Sequence, residues 1–424
     1  MPEHEIKFYR DRMPISDLGV SDRHVITVMG EWNIGLVDQR SRVHFCGMIR
    51  LPKGRIIVFL PRNMSNLSKE SAALTMLALQ RFGSDTSSRE TYSDGQIGNS
   101  GIVSVIRQIA DDFRTNGIFV ERQRLRTRNI GKPDWKRTVS REVPFPCQGG
   151  GEVFENIATT RTLDSRDTLL AQIQAAVVGE IVAHHSWWIE GIDGRHAELR
   201  GIRKPHQPRD LWPKLLDDLL LRLFSDRSIF LAKSLSYYLR ECRASGSGSF
   251  LFGVEDFHTV WEIMLRQTLL GVETGWNSRL PKPVYRRRDG LVASAKLRGL
   301  QTDMIIKRGH DFVVADAKYY AAISPESAPG VADITKQMFY ELALREVVGS
   351  GASIYSVFLF PSQQTGPGPL TSIDFVKEGN SPVANFPIIY CVYIQIDMVM
   401  AAYVQRSRVI ELPPLNSVSS GYHT

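Results

Sequence analysis

The sequence predicts an α/β protein, α+β overall, on three observations. Near the N-terminus, short β-prone runs bounded by Gly, Pro, Asn and Asp mix with helical patterns. The middle is leucine-rich and helical in spacing, and beyond it a hairpin pattern centred on Gly309 leads into a helix and further apolar strands. A chain of 424 residues should hold two or three domains. The expected division is a mixed α/β region over 1–150, a helical connecting region over 151–247, and a mixed sheet flanked by helices over 248–424. The Ala-Ser-Gly-Ser-Gly-Ser run at 244–249 reads as a linker, so a fragment starting near Gly248 is expected to fold alone.

Taken in order, His24–Met29, Val43–Met48 and Ile56–Leu60 read as strands, and Ser68–Phe82 and Ile102–Phe113 as helices. The most basic segment follows. Arg122, Arg124, Arg126 and Arg128 recur at every second residue, so a strand puts all four on one face; Lys132, Lys136 and Arg137 surround Trp135. Two readings stand: an edge strand kept from pairing by its charge, or a face for phosphate contact. Helices are expected over 168–190 and 210–242, the second breaking near Arg227-Ser228. His184-His185 beside Trp187-Trp188 lacks metal-ligand spacing and reads as a packed helix end. Glu255–Leu270 is helical, with Phe257, Trp261, Met264 and Leu265 on its apolar face and Glu262 at the margin. Arg286 and Arg287 precede the hairpin in a basic cluster suited to DNA phosphates or to a solvated loop. Asp333 reads as an N-cap, with Gln337 and Tyr340 on one face of the helix it starts. Ile354–Phe360 and Ile388–Ile396 read as strands.

The formal net charge of +7 favours polyanionic partners. Cys46, Cys147, Cys242 and Cys391 lie far apart with no C-x-x-C, which argues against a zinc site or a disulfide framework and fits a reducing cytoplasm. The first twelve residues lack the apolar core of a signal peptide. The most apolar run, Ile388–Val404, contains Gln395 and Asp397 and reads as a strand entering a helix, not a membrane span. No G-x-x-x-x-G-K-[ST] occurs, so no nucleotide triphosphate site of that kind is expected in this chain.

Chemistry concentrates in Thr302–Tyr320, TDMIIKRGHDFVVADAKYY. A two-residue loop at Gly309-His310 pairs Arg308 with Asp311 and sets Asp303 opposite Asp316; a three-residue loop slips that register. In the first register Asp303, Asp316 and Lys318 project together, with Val314 and Ala317 expected on the other face. Like charges placed opposite cost a sheet roughly 0.2–1 kcal/mol. A hard cation, Mg²⁺ or Mn²⁺, held by the two carboxylates removes that cost, and Lys318 is placed to position a water or stabilise phosphate charge. The alternative is a hairpin with solvated charges.

This stretch resembles the PD-(D/E)xK nuclease core, with Asp303 in the first acidic position, Asp316-Ala317-Lys318 as the D-x-K element, and Thr302 where Pro is usual. Phe257-His258-Thr259-Val260-Trp261-Glu262 resembles the F-x-x-V-W-E helix of LlaJI-type restriction endonucleases, relatives of the McrC subunit. Asp333 to Glu341 is similar to their K-Q-x-x-Y-E helix, and Trp135 to Thr138 to a W-x-x-T element. The resemblance implies a Mg²⁺-dependent endonuclease of a restriction system that cleaves DNA. In it Glu262 and the Ala317 backbone carbonyl join Asp303 and Asp316 around the metal, Lys318 is catalytic, and Gln337 and Tyr340 give polar support or touch DNA. It also implies an McrB-like AAA+ GTPase acting in trans and a cognate methyltransferase in the same system. The rival readings are a non-catalytic DNA-binding or GTPase-activating subunit, and a repair or recombination nuclease on the same core.

Overall fold

Two stretches lack the polar alternation of a half-exposed strand, IIVFL at Ile56–Leu60 and most of IYSVFLFPS at Ile354–Ser362, and each becomes an interior strand of its own sheet. The computed structural model describes residues 6–31, 41–51, 55–87, 100–147, 149–189, 191–192, 197–244, 250–286, 288, 292–294, 299–349, 351–365, 368–378, 381, 383 and 386–415. The chain divides into two units, one of Met1–Ser100 with Ser249–Thr424, the other of Gly101–Gly248.

The first unit holds two sheets. The smaller has four strands in the order Ile6–Arg10, Ile56–Leu60, Cys46–Arg50, Phe250–Val254; the first pair is parallel and the others antiparallel. Val25, Met29, Phe45, Phe59 and Leu251 pack together as its core. The larger sheet runs Val272–Glu273, Met304–Arg308, Asp311–Ala317, Ile354–Ser362, Ile389–Gln395, Ser372–Ile373. Its three strands from Asp311–Ala317 to Ile389–Gln395 are mutually parallel and the flanking ones antiparallel. Helices Phe257–Thr268 and Val331–Val348 both pack on it. Helix Lys69–Ser87 packs on the smaller sheet and on helix Ile396–Val404, where the Arg81 guanidinium lies 4.2 Å from the centre of the Tyr403 ring.

The second unit combines helices Ser100–Asn116, Leu169–His185, Trp212–Leu220 and Asp226–Ala244 with a three-stranded sheet ordered Glu121–Arg128, Ala158–Ser165, Lys132–Pro133. Asp112, nearly buried, receives Arg227 Nε at 2.9 Å and Nη2 at 3.1 Å, a bidentate tie between the first and last of these helices. His185 is buried at its helix end, accepting from Trp188 Nε1 at 3.3 Å. No described helix is long and apolar enough to cross a membrane.

Several elements differ from expectation. His24–Glu31 is a helix, not a strand: Val25 and Met29, four residues apart, share one buried face, and that burial outweighs the β-propensity of Val and Ile. The long middle helix breaks at 221–225, ahead of Arg227. Gly330 precedes the helix that Asp333 was expected to cap, so Asp333 sits inside its first turn.

The three-part division also gives way, because strand Phe250–Val254 pairs with Cys46–Arg50 across about 200 residues of sequence. The linker expected at 244–249 lies almost wholly outside the described residues. A fragment starting at Gly248 leaves that strand without its neighbour and helix Ile396–Val404 without Lys69–Ser87. We expect the fragment alone to lack a cooperative urea transition and to regain one when residues 1–100 are co-expressed with it. A sharp transition of the fragment by itself would show that the smaller sheet is dispensable.

Candidate active site

The hairpin has the two-residue loop, with Arg308 paired to Asp311 and Gly309 at φ +60°, a value that suits glycine. The last regular pair is Met304 with Ala315, and one step further brings Asp303 beside Asp316. Asp303 Oδ2 accepts the Ala317 N–H at 2.9 Å, which ties the two strand ends together. Val314 differs from expectation. Two residues before Asp316, it lies on the same face, packed with Ile305, Phe312 and Tyr340, while Ala317 has the opposite parity.

Asp316 is buried and lies between two ammonium groups, Lys318 Nζ at 2.8 Å and Lys336 Nζ at 3.5 Å. Lys318 also reaches Asp333 Oδ1 at 2.7 Å. Burial alone would lower the pKa of Lys318, but Asp316 and Asp333 outweigh it and hold the pKa above the usual lysine range. Lys336 is raised in the same way, burial being outweighed chiefly by Asp316, Tyr340 and Asp303. Asp303 behaves oppositely. Burial, with Asp316 and Glu262 beside it, pushes its carboxyl up to about 7, against the pull of the Ala317 N–H and Lys336.

Glu262, on helix Phe257–Thr268, is gripped by Arg266 one turn on, and Arg266 Nε donates to the Asp303 carbonyl at 3.1 Å. Asn277 clamps the residue before Asp303: its Oδ1 accepts from Thr302 N at 3.0 Å and Oγ1 at 2.9 Å, and its Nδ2 donates to Thr302 O at 3.1 Å. Gln337, expected near the chemistry, is buried and donates to strand carbonyls instead, Val314 O at 2.6 Å and Val357 O at 3.4 Å. It fastens the helix to the sheet. Tyr340 is nearly buried and its hydroxyl donates to Gln301 O, which does not suit a DNA contact. A cavity of about 680 Å³ opens here, lined among others by Glu262, Arg266, Glu273, Asp303, Lys336 and Tyr340.

Sequence reasoning overlooked Lys336, Arg266 and Asn277. Lys336 stands beside Gln337 in the K-Q pair and carried a signal that was available. Arg266 is four residues from Glu262, an ordinary helical pair. Asn277 had no sequence signal, because only the folded chain brings it to Thr302.

The basic residues of 122–137 belong to the other unit. Strand Glu121–Arg128 is the edge of its sheet, and Arg122, Arg126 and Arg128 are exposed, with Arg122 3.5 Å from Asp164 and Arg128 3.5 Å from Glu142. Arg124 shares the strand. Lys136 is exposed and Arg137 half-buried on helix Trp135–Arg141. There Thr138 donates to Asp134 O at 2.9 Å and accepts from Ala158 N at 3.0 Å, so the Thr of W-x-x-T locks helix to strand. Arg286 is exposed on a two-stranded ribbon; Arg287 lies outside the described residues.

The donor set suits a hard cation in kind, since it offers carboxylate oxygens and a surplus of negative charge felt at Asp303. Among the described residues no three His, Cys, Asp or Glu are already gathered as a cation cage, and lysines cover the Asp316 oxygens.

The family model for the LlaJI restriction endonuclease matches residues 42–397. The chain is 27% identical over 167 residues to the type II restriction enzyme BsuMI component YdjA of Bacillus subtilis (strain 168), a match covering 37% of this chain and 36% of that protein. The matched stretch thus spans little more than a third of that relative. Among solved structures, a half-complex of Thermococcus gammatolerans McrB AAA+ hexamers with bound McrC aligns over 95% of this chain and 99% of the other, at 13% identity and a TM-score of 0.40. A second McrBC complex from the same organism aligns over 61% and 85%, at 12% identity and a TM-score of 0.29.

The crowding of carboxylates has a consequence for stability. Asp303 binds its proton more tightly in the folded chain than in the unfolded one, so stability falls as pH rises from about 4 to about 7. Asp303→Asn keeps an acceptor for the Ala317 N–H and removes the charge. In EDTA its stability advantage over the parent should grow by about 1–2 kcal/mol between pH 5 and pH 8, read from urea unfolding. A difference that does not change with pH would mean that Asp303 feels no repulsion from its neighbours.

Proposed function

Because the chain belongs to the LlaJI restriction endonuclease family, we propose that it is the DNA-cleaving subunit of a restriction system, hydrolysing phosphodiesters at Asp303, Asp316 and Lys318. The observation that carries this reading is the pairing of Asp303 with Asp316 at the open end of the hairpin, with Lys318 held against Asp316. Asp303, Asp316, Glu262 and the Ala317 carbonyl would hold Mg²⁺ or Mn²⁺, which supplies a Lewis acid for the phosphate and makes water nucleophilic near neutral pH.

The chain's own residues do the rest. Asp316 and Asp333 raise the pKa of Lys318, which suits it to present a positive charge to the phosphate. Lys336 offers a second cation on the cavity side. Arg266 orients Glu262, and Asn277 fixes the backbone that carries Asp303. The exposed arginine face of Glu121–Arg128 and Arg286 suit non-specific contact with the DNA backbone. An NTPase partner in trans, McrB-like in the family resemblance, would complement a chain with no P-loop of its own, and a methyltransferase would protect host DNA.

Asp316→Asn and Lys318→Met test the assignment. With Mg²⁺ and the NTPase partner present, each should lose at least about 100-fold in DNA cleavage while retaining duplex binding in a gel shift. Undiminished cutting by either variant would remove that residue from the centre. Loss of both cutting and binding would point to a DNA-binding role instead.

A further inference from the structure

We propose that a basic cavity beside Lys318, built largely by Arg12, Arg42 and Arg62, holds a DNA backbone phosphate next to the one being cleaved. The inference rests on the reading of Asp303, Asp316 and Lys318 as the cleavage centre and assigns a role to N-terminal residues that the reading leaves unused.

The cavity measures about 430 Å³ and is lined by Arg12, Arg42, His44, Arg62, His258 and the stretch from Ala317 to Tyr320. That is ample for a phosphate with its flanking sugar. Among the described residues that line it, none is a carboxylate. Arg12, Arg42 and Arg62 are all half-buried; burial lowers the pKa of Arg62, Tyr319 and Asp11 oppose that fall, and Arg12 and Arg42 add to it. The carboxylate behind them is Asp11, with Oδ1 3.6 Å from Arg12 Nε, and it is fully buried. Burial pushes its carboxyl up to about 7 in spite of Arg12, Tyr319 and Arg62.

Planar guanidiniums match phosphate oxygens bidentately, so three of them lining one hollow suit a phosphodiester. The hollow is also rigidly placed. Tyr319, next to Lys318, accepts the Arg62 N–H at 3.0 Å; Asn63 donates to the Pro361 carbonyl, and Ser65 Oγ to Gln363 O at 3.0 Å. Ala317 and Lys318 line this cavity while Asp303 and Lys336 line the larger one, so the D-x-K strand end borders both. Because Lys318 both touches Asp316 and shares the cavity with the arginines, a DNA strand held at Asp316 would bring a neighbouring phosphate to them.

The test measures binding without cleavage: fluorescence anisotropy of a labelled duplex with the full chain in EDTA, over a range of salt. Arg42→Gln and Arg62→Gln should each weaken binding about tenfold and reduce the slope of log K against log salt by about 0.9, while Arg62→Lys keeps most of both. Thermal melts accompany each variant; if Arg62→Gln fails to fold, Arg42→Gln decides alone. Unchanged affinity and slope would overturn the proposal. Calorimetric titration with deoxyadenosine 5′-monophosphate separates the other source of phosphate: arginine-dependent binding of the nucleotide with unaltered duplex binding would assign the cavity to free nucleotides and likewise overturn it. If the variants bind DNA more weakly as expected but the parent chain never cuts, the cavity stands and only the cleavage centre falls.

Discussion

Two carboxylates held side by side at the mouth of a hairpin are the constraint on which this structure turns. Unassisted, Asp303 and Asp316 would push the strands apart or keep a proton between them, and burial together with Asp316 and Glu262 raises the pKa of Asp303. What keeps them together is local and specific. The Ala317 N–H binds Asp303, Lys318 and Lys336 face Asp316, and Asn277 grips the residue before Asp303 from three directions. The hairpin itself is anchored as the buried edge of a parallel core, its second strand pairing along Ile354–Ser362.

The two flanking helices serve that constraint in different ways. Phe257–Thr268 buries Trp261 completely, its indole N–H directed to the Leu359 carbonyl at 3.4 Å, and so presents Glu262 at the cavity edge. Val331–Val348 reaches the sheet through buried polar groups: Gln337 Nε2 on two strand carbonyls, and Glu341 on Ser356 Oγ at 2.7 Å. Buried polar ties of this kind fix the helix register more tightly than apolar packing would. A fixed register is what sets Lys336 and Asp333 at the correct height beside Asp316 and Lys318.

The unit carrying this centre is assembled from two distant segments. The chain builds three strands of the smaller sheet, leaves at about residue 100, folds a second unit of helices and a basic three-stranded sheet, and returns to add the fourth strand. The glycines at 47 and 253 face each other in that closing pair, where an added Cβ at either would collide with the opposite backbone. Close approach of the two strands therefore depends on both positions lacking a side chain.

The loop length itself came from the structure, but the hairpin was legible in the sequence and, given a two-residue loop, so was the face shared by Asp303 and Asp316, because a period of two is a local property. So were most helices, whose apolar spacing repeats within a few turns, and the family itself, carried by short motifs around Trp261, Asp316 and Gln337. The sequence alone misjudged His24–Glu31, where burial of Val25 and Met29 overrides propensity, and it cut the chain at a Ser-Gly run that the strand pairing bridges. Only the tertiary structure decided that Arg12, Arg42 and Arg62 stand beside Lys318, that Asn277 holds Thr302, and that Gln337 bonds to the sheet instead of facing the cavity. Those contacts join residues tens to hundreds of positions apart. No local periodicity encodes them; they follow from which buried surfaces close on one another.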